Sequence, residues 1–214
     1  MEPAFRTALH LQSFIPSHSV DWRFLLPIDD TNIKVLVIHD STSEYEYSLN
    51  KLDIHVEYLS FDQLTDSQIA RENFDVVVAP LGICGVDSRV RQNSLIKHGK
   101  TVYRLIRSGG VFLIGFSNFW DLRRKIHTVP TMSVWGMRRT LRKVGFHSSQ
   151  FYGALPEPFA PEYIFPLRAH HLSFVLHQRY QHKLPKLFFI LARTSVAFVL
   201  LNFLPFYYVV ARVK

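Results

Sequence analysis

A single cysteine, Cys84, is all the thiol this 214-residue chain has. That excludes an internal disulfide and any multi-thiolate metal site, and it agrees with a reducing compartment. Cys84 reads as a small buried apolar residue rather than a nucleophile. Other signatures are missing too. There is no G-x-x-x-x-G-K-[ST] phosphate loop and no H-E-x-x-H metal helix. Gly115-Phe116-Ser117-Asn118-Phe119 lacks the closing glycine of a G-x-S-x-G nucleophile elbow, so a serine hydrolase is not indicated. No aromatic RNP strand marks a specific RNA-binding module. The eleven histidines include His170, His171, His177 and His182, whose spacing fits no standard metal site. The first twenty residues, MEPAFRTALHLQSFIPSHSV, hold no long apolar run and do not read as a secretory signal. A cytoplasmic protein is expected.

What is present is enough for a core. With 48% hydrophobic and 20% charged residues, the chain reads as one domain of 32–214 behind a lead-in of 1–31. The lead-in ends in Asp21-Trp22-Arg23-Phe24-Leu25-Leu26-Pro27, and its aromatic and leucine content predicts packing on the domain. Asn32–His39 is a short β-branched run suited to a central parallel strand. The polar stretch Asp40–Lys51 suits a turn and short helix, and Ile54–Leu59 alternates as a strand. Asp62–Asn73 reads as helical or irregular, with Thr65 or Asp66 as an N-cap. Phe74–Ala79 is the next buried strand, closed by Pro80-Leu81-Gly82. Within Asp87–Arg107 the apolar positions Val90, Leu95, Ile96, Val102, Leu105 and Ile106 predict a helix that stops at Gly109-Gly110. Val111–Phe116 supplies another strand.

Alternating strands and helices argue for an α/β fold, an open, mostly parallel sheet with helices on both faces. Ligands in such sheets sit beyond the carboxyl ends of the strands, where strand order reverses. The positions there are His39, Asp40 and Ser41 after the first strand, Pro80, Leu81 and Gly82 after the third, and Ser117 with Asn118 after the fourth. Ordinary loop residues are the competing reading at each.

Several segments together resemble class I S-adenosylmethionine-dependent methyltransferases. Tyr103–Asn118, YRLIRSGGVFLIGFSN, is similar to that family's G-G turn and following strand, and Phe74–Val78, FDVVV, to its "FD" strand. Ser133–Phe146 looks like its helix with an L-x-x-x-G-F end, Gln150–Pro156 like a strand and proline turn, and Leu204–Lys214 like its terminal strand. The resemblance covers about residues 33–214. It implies a Rossmann-like methyltransferase fold and S-adenosylmethionine as cofactor, with His39, Asp40, Ser41, Asp62, Pro80, Leu81 and Gly82 around it. Asp62 would hold ribose hydroxyls and Asp40 the cofactor's amino group, since a carboxylate only accepts. No catalytic residue is assigned, although His39 and Asp40 are the candidate bases.

Two departures stand out. The family's loop after the first strand is glycine-rich, because a side chain there blocks approach of the ligand to the backbone. Val35–Ser43, VLVIHDSTS, has no glycine. The stretch between Asp62 and Phe74 is also too short for the usual helix, strand and loop, so the N-terminal half reads as shortened. An active methyltransferase and a non-catalytic pseudo-methyltransferase serving as scaffold or partner subunit both stay open.

A net charge of +8 and a pI near 9.7 favour acidic partners. Bases gather at Lys97–Arg107, at Arg123-Arg124-Lys125, and at Arg138-Arg139 with Arg142-Lys143, which suits an anionic or phosphorylated acceptor as well as a solvated helix face. Leu187–Val210 carries one charge, Arg193, and is divided by Pro205 into a helix and an aromatic strand, the last elements of the sheet by the resemblance. Burial in the domain, a protein or homo-oligomer interface, and membrane contact, transmembrane or interfacial at the membrane surface, are its readings.

Overall fold

The computed structural model describes residues 22–26, 32–39, 54–60, 64, 74–80, 92–118, 131–155, 161–180, 194 and 197–214. Apolar β-branched runs form the central strands: β1 (Lys34–His39), β3 (Phe74–Ala79) and β4 (Ile106–Asn118) are buried almost throughout. Around them lie β2 (His55–Ser60), the two-residue β5 (Thr131–Met132), β6 (Ser148–Leu155), β7 (Tyr163–Pro166) and β8 (Phe206–Arg212). The helices are α1 (Gln92–Leu105), α2 (Val134–Val144), α3 (Ala169–Tyr180) and the short α4 (Ala197–Leu201).

The sheet order is β2-β1-β3-β4-β8-β6-β7, with β5 paired to the end of β4. β2, β1, β3 and β4 are parallel, whereas β8 runs antiparallel to both β4 and β6, and β7 antiparallel to β6. This is a Rossmann-like arrangement with an antiparallel margin built from the last third of the chain.

Strand alternation sorts the core into two layers. Leu36, Ile38, Phe112, Ile114, Phe116, Tyr207 and Val209 point to one face, where they meet Val102 and Leu105 of α1, Met137 and Leu141 of α2, Leu172 and Val175 of α3, and Leu201 of α4. Val35, Val37, Val76, Val78, Leu113, Phe206 and Tyr208 point to the other, where they meet Trp22 and Leu26. Trp22 belongs to a 3-10 turn, Trp22–Leu25, so this part of the lead-in packs on the sheet. All four described α-helices thus cover one face. The stretches expected to supply helix at 40–51, 62–73 and 187–196 lie outside the described residues, apart from the buried Leu64 and the exposed Thr194.

Local chemistry accounts for the ends of α2. Ser133 caps it by accepting a hydrogen bond from the Gly136 N–H at 3.1 Å, and Gly145, at φ 125°, ends it with its N–H on the Leu141 carbonyl. The end of α1 differs from the sequence expectation. The helix stops at Leu105 rather than at Gly109-Gly110, because Ile106 is already captured by pairing with Phe74. Gly109, at φ 78°, then takes up a register shift opposite Phe74 and Val76, a bulge rather than a turn. Asp75 fastens the same end of the sheet, accepting from the Lys34 N–H at 2.8 Å and pairing with Arg107.

Gly115 has the most restrictive packing at the opposite end. A methyl group there would drive into the Pro80 carbonyl and the Phe206 ring. Gly115→Ala is therefore expected to cost about 1–3 kcal/mol, towards the upper limit because the obstructing atom is backbone. Gly136→Ala, which meets the flexible Met132 side chain inside a helix, should stay within about 1 kcal/mol of the parent protein. Urea denaturation of the two variants checks the contrast.

Candidate functional site

From β1 the chain passes to β2 on one side, and from β3 to β4 on the other, so strand order reverses between β1 and β3. Their carboxyl ends bound the position at which open α/β sheets bind ligands. His39 ends β1 in register with Ser60 of β2. Val37 pairs with Val78, and Ala79 with Ile114, so continuing the ladder sets Ser60, His39, Pro80 and Gly115 in one row. Of the sequence-predicted positions, His39 and Pro80 are brought together at this reversal. Asp40, Ser41, Asp62, Leu81 and Gly82 lie outside the described residues.

Pro80 is buried, and its carbonyl oxygen occupies the space that Gly115 leaves by having no side chain. The close approach at this rim is therefore made by protein backbone. Among the described residues, the glycine at the strand ends serves the sheet rather than a ligand.

Ser117 and Asn118 end β4, where they pair with Thr131 and Met132 of β5. Asn118 is 2% exposed. Its side-chain amide donates to the carbonyls of Asn202 at 2.5 Å and Leu204 at 2.8 Å and lies 3.2 Å from the Tyr207 hydroxyl, while its N–H reaches the Pro205 carbonyl at 2.9 Å. The Tyr207 hydroxyl in turn donates to the Leu201 carbonyl at 2.8 Å. Burial pushes the Tyr207 phenol well above its usual range, so it stays a neutral donor. Asn118 thus clamps the turn from α4 into β8 and is a structural group. The Tyr207 partnership was not foreseen; its one sequence signal is a phenol within the apolar run Phe206–Val210, which needs a hydrogen-bond partner once buried.

The basic groups divide. Lys97, Lys100 and Arg104 are exposed on α1, as are Arg138, Arg139, Arg142 and Lys143 on α2, whereas Arg123, Arg124 and Lys125 lie outside the described residues. The His170 and His171 rings stand 4.0 Å apart on α3. Among the described residues no group of three or more His, Cys, Asp or Glu side chains is arranged to hold a metal ion.

No protein-family model matches the chain, and no curated protein matches it in sequence. Its fold has clear counterparts among solved structures. It is similar to an S-adenosylmethionine-dependent methyltransferase from Clostridium acetobutylicum ATCC 824, at 8% identity and a TM-score of 0.51, over 99% of each chain. It is similar also to a SAM-dependent methyltransferase from Archaeoglobus fulgidus, at 11% identity and a TM-score of 0.50, over 97% of this chain and 93% of that one. The fold is the class I S-adenosylmethionine-dependent methyltransferase fold.

The Asn118 clamp makes a prediction independent of ligand. Asn118→Ala strands buried carbonyls and should cost about 1–3 kcal/mol, against about 1 kcal/mol for Tyr207→Phe. Since the folded-state pKa of Tyr207 is raised, its contribution is complete below the ordinary value of 10.0 and is lost progressively as pH rises above it. Denaturation curves below and above pH 10.0 should show the parent losing stability faster than Tyr207→Phe; parallel losses would refute this role.

Proposed function

We propose that this chain is a methyltransferase-like protein whose ligand site is the β1–β3 reversal and whose hold on S-adenosylmethionine is weak. The strand reversal with His39 and Pro80 at its rim carries the placement, and likeness to S-adenosylmethionine-dependent methyltransferases over nearly the whole chain supports the class of ligand. The weakness follows from His39-Asp40-Ser41-Thr42-Ser43, which puts side chains where a close-approach loop needs glycine.

In this reading Asp62 accepts from ribose hydroxyls and Asp40 from the amino group of the ligand, with Ser41, Leu81 and Gly82 completing the surround. Transfer of a methyl group from a sulfonium to a nucleophile needs chiefly alignment, sometimes with a base for the nucleophile's proton. His39 and Asp40 are the residues of this chain for that proton. The glycine-free run Val35–Ser43 also favours a second reading, a pseudo-methyltransferase that keeps the fold as a scaffold or partner subunit.

Calorimetric titration of the folded chain with S-adenosylmethionine and S-adenosylhomocysteine separates the two. Weak binding is expected for the parent, tightened about tenfold or more, roughly 1.4 kcal/mol, when Ser41 and Ser43 are both replaced by glycine. No heat from either folded protein would sink ligand binding and leave the scaffold.

A further inference from the structure

Charge in this chain is divided as well as in excess. Up to Asp87 the sequence carries 14 acids and five bases; from Ser88 onward it carries three acids and 20 bases. The structure gathers part of this second set on one surface. Lys97, Lys100 and Arg104 are exposed on α1, and Arg138, Arg139, Arg142 and Lys143 on α2, and neither helix contains an acid. The two helices pack closely, since a Cβ on Gly99 of α1 would come within 2.9 Å of Val144, and Gly145 lies against Tyr103. Seven cations are therefore held on adjoining helices, whereas solvated surfaces ordinarily intersperse the two signs.

Exposed apolar side chains share this layer. Trp135 is 68% exposed, Phe174 61%, Phe203 57% and Val199 54%. Trp135 lies on α2, Phe174 on α3, Val199 on α4 and Phe203 in the turn after it. The buried sides of all four helices belong to a single core cluster on one face of the sheet, so their outer sides face away from the sheet on that same side. On α2 the outward stripe is Trp135, Arg139 and Arg142, opposite the buried Met137, Leu141 and Val144; the Arg139 guanidinium lies 5.4 Å from the Trp135 ring centroid, while Arg138, at the edge of the stripe, lies 5.1 Å from the ring centroid of the buried Phe151.

We propose that the outer surface of this helical layer lies on an anionic lipid membrane. The α1 and α2 cations meet the headgroups, and Trp135, Phe174, Val199 and Phe203 enter the interfacial region. The combination selects this occupant. A nucleic acid backbone would take the cations and stack on Trp135, but it offers nothing to Val199, Phe174 or Phe203. A second copy across a two-fold axis would set like charges against like. Among the described residues no helix is long and apolar enough to cross a membrane, so the contact lies on the surface.

Co-sedimentation of the full chain with phosphatidylcholine vesicles, with and without phosphatidylglycerol, tests this over a salt series. The chain should bind only vesicles containing the anionic lipid and release as salt rises. Loss of each basic residue should weaken partition about fivefold, so Arg142→Glu with Lys143→Glu should nearly abolish it. Trp135→Ala and Phe174→Ser leave the charge unchanged and should each weaken it severalfold. All four positions are exposed, and circular dichroism verifies that the variants are folded. Failure of the folded parent to bind anionic vesicles overturns the proposal. So does binding that only the charge variants reduce and that a single-stranded RNA matches, since the surface would then be a general polyanion site.

Discussion

The fold depends on satisfying both edges of β4. This strand runs from Ile106 to Asn118, and from Gly110 to Phe116 it is buried without interruption. A backbone removed from water on both faces must have all its hydrogen bonds made by neighbours. β3 supplies one edge in parallel; the other is filled by β8, which returns from the far end of the sequence in antiparallel sense. Inserting β8 between β4 and β6 makes the C-terminal residues part of the sheet's middle. The rings make the same connection: Phe116 stacks on Tyr207 at 5.1 Å and meets Phe151 edge-on, while Phe112 stacks on Phe146 at 5.5 Å.

The ends of β4 are fixed differently, and the difference matters for function. At its beginning, Asp75 pairs with Arg107 and holds the first residue of β1, so the three parallel strands are bound by a partly exposed ionic group. At its finish, the contacts are buried and specific: Asn118 holds the carbonyls of Asn202, Leu204 and Pro205, and Gly115 admits Pro80. The carboxyl edge, where this architecture binds ligands, is thus stiffened by the chain's own groups beside the β1–β3 reversal.

Much of this was legible in the sequence where a local pattern carried the information. β-branched runs gave β1 and β3, the resemblance of Ser133–Phe146 with its L-x-x-x-G-F end gave α2, and the aromatic run after Pro205 gave β8. The end of α1 was not legible, since Ile106 continues the helical pattern and is withdrawn from it only by pairing with Phe74. The clamp by Asn118 was hidden for a similar reason, its acceptors lying 84 and 86 positions away. Sequence reasoning put His39 and Pro80 at the ends of apolar strands, and the observed strand order sets both positions at the reversal. It also marked Asn118 as a position to watch, and the structure gives that residue to the turn before β8 rather than to a ligand.

A ligand that binds only the native state adds to stability in proportion to how far its concentration exceeds its dissociation constant. A chain that holds its ligand weakly gains little from it and must keep the fold by packing alone. In this chain the late strands close on one another through Tyr207, Phe116 and Asn118, and the Pro80 carbonyl fills the gap at Gly115, so this part of the sheet is held by the chain's own groups.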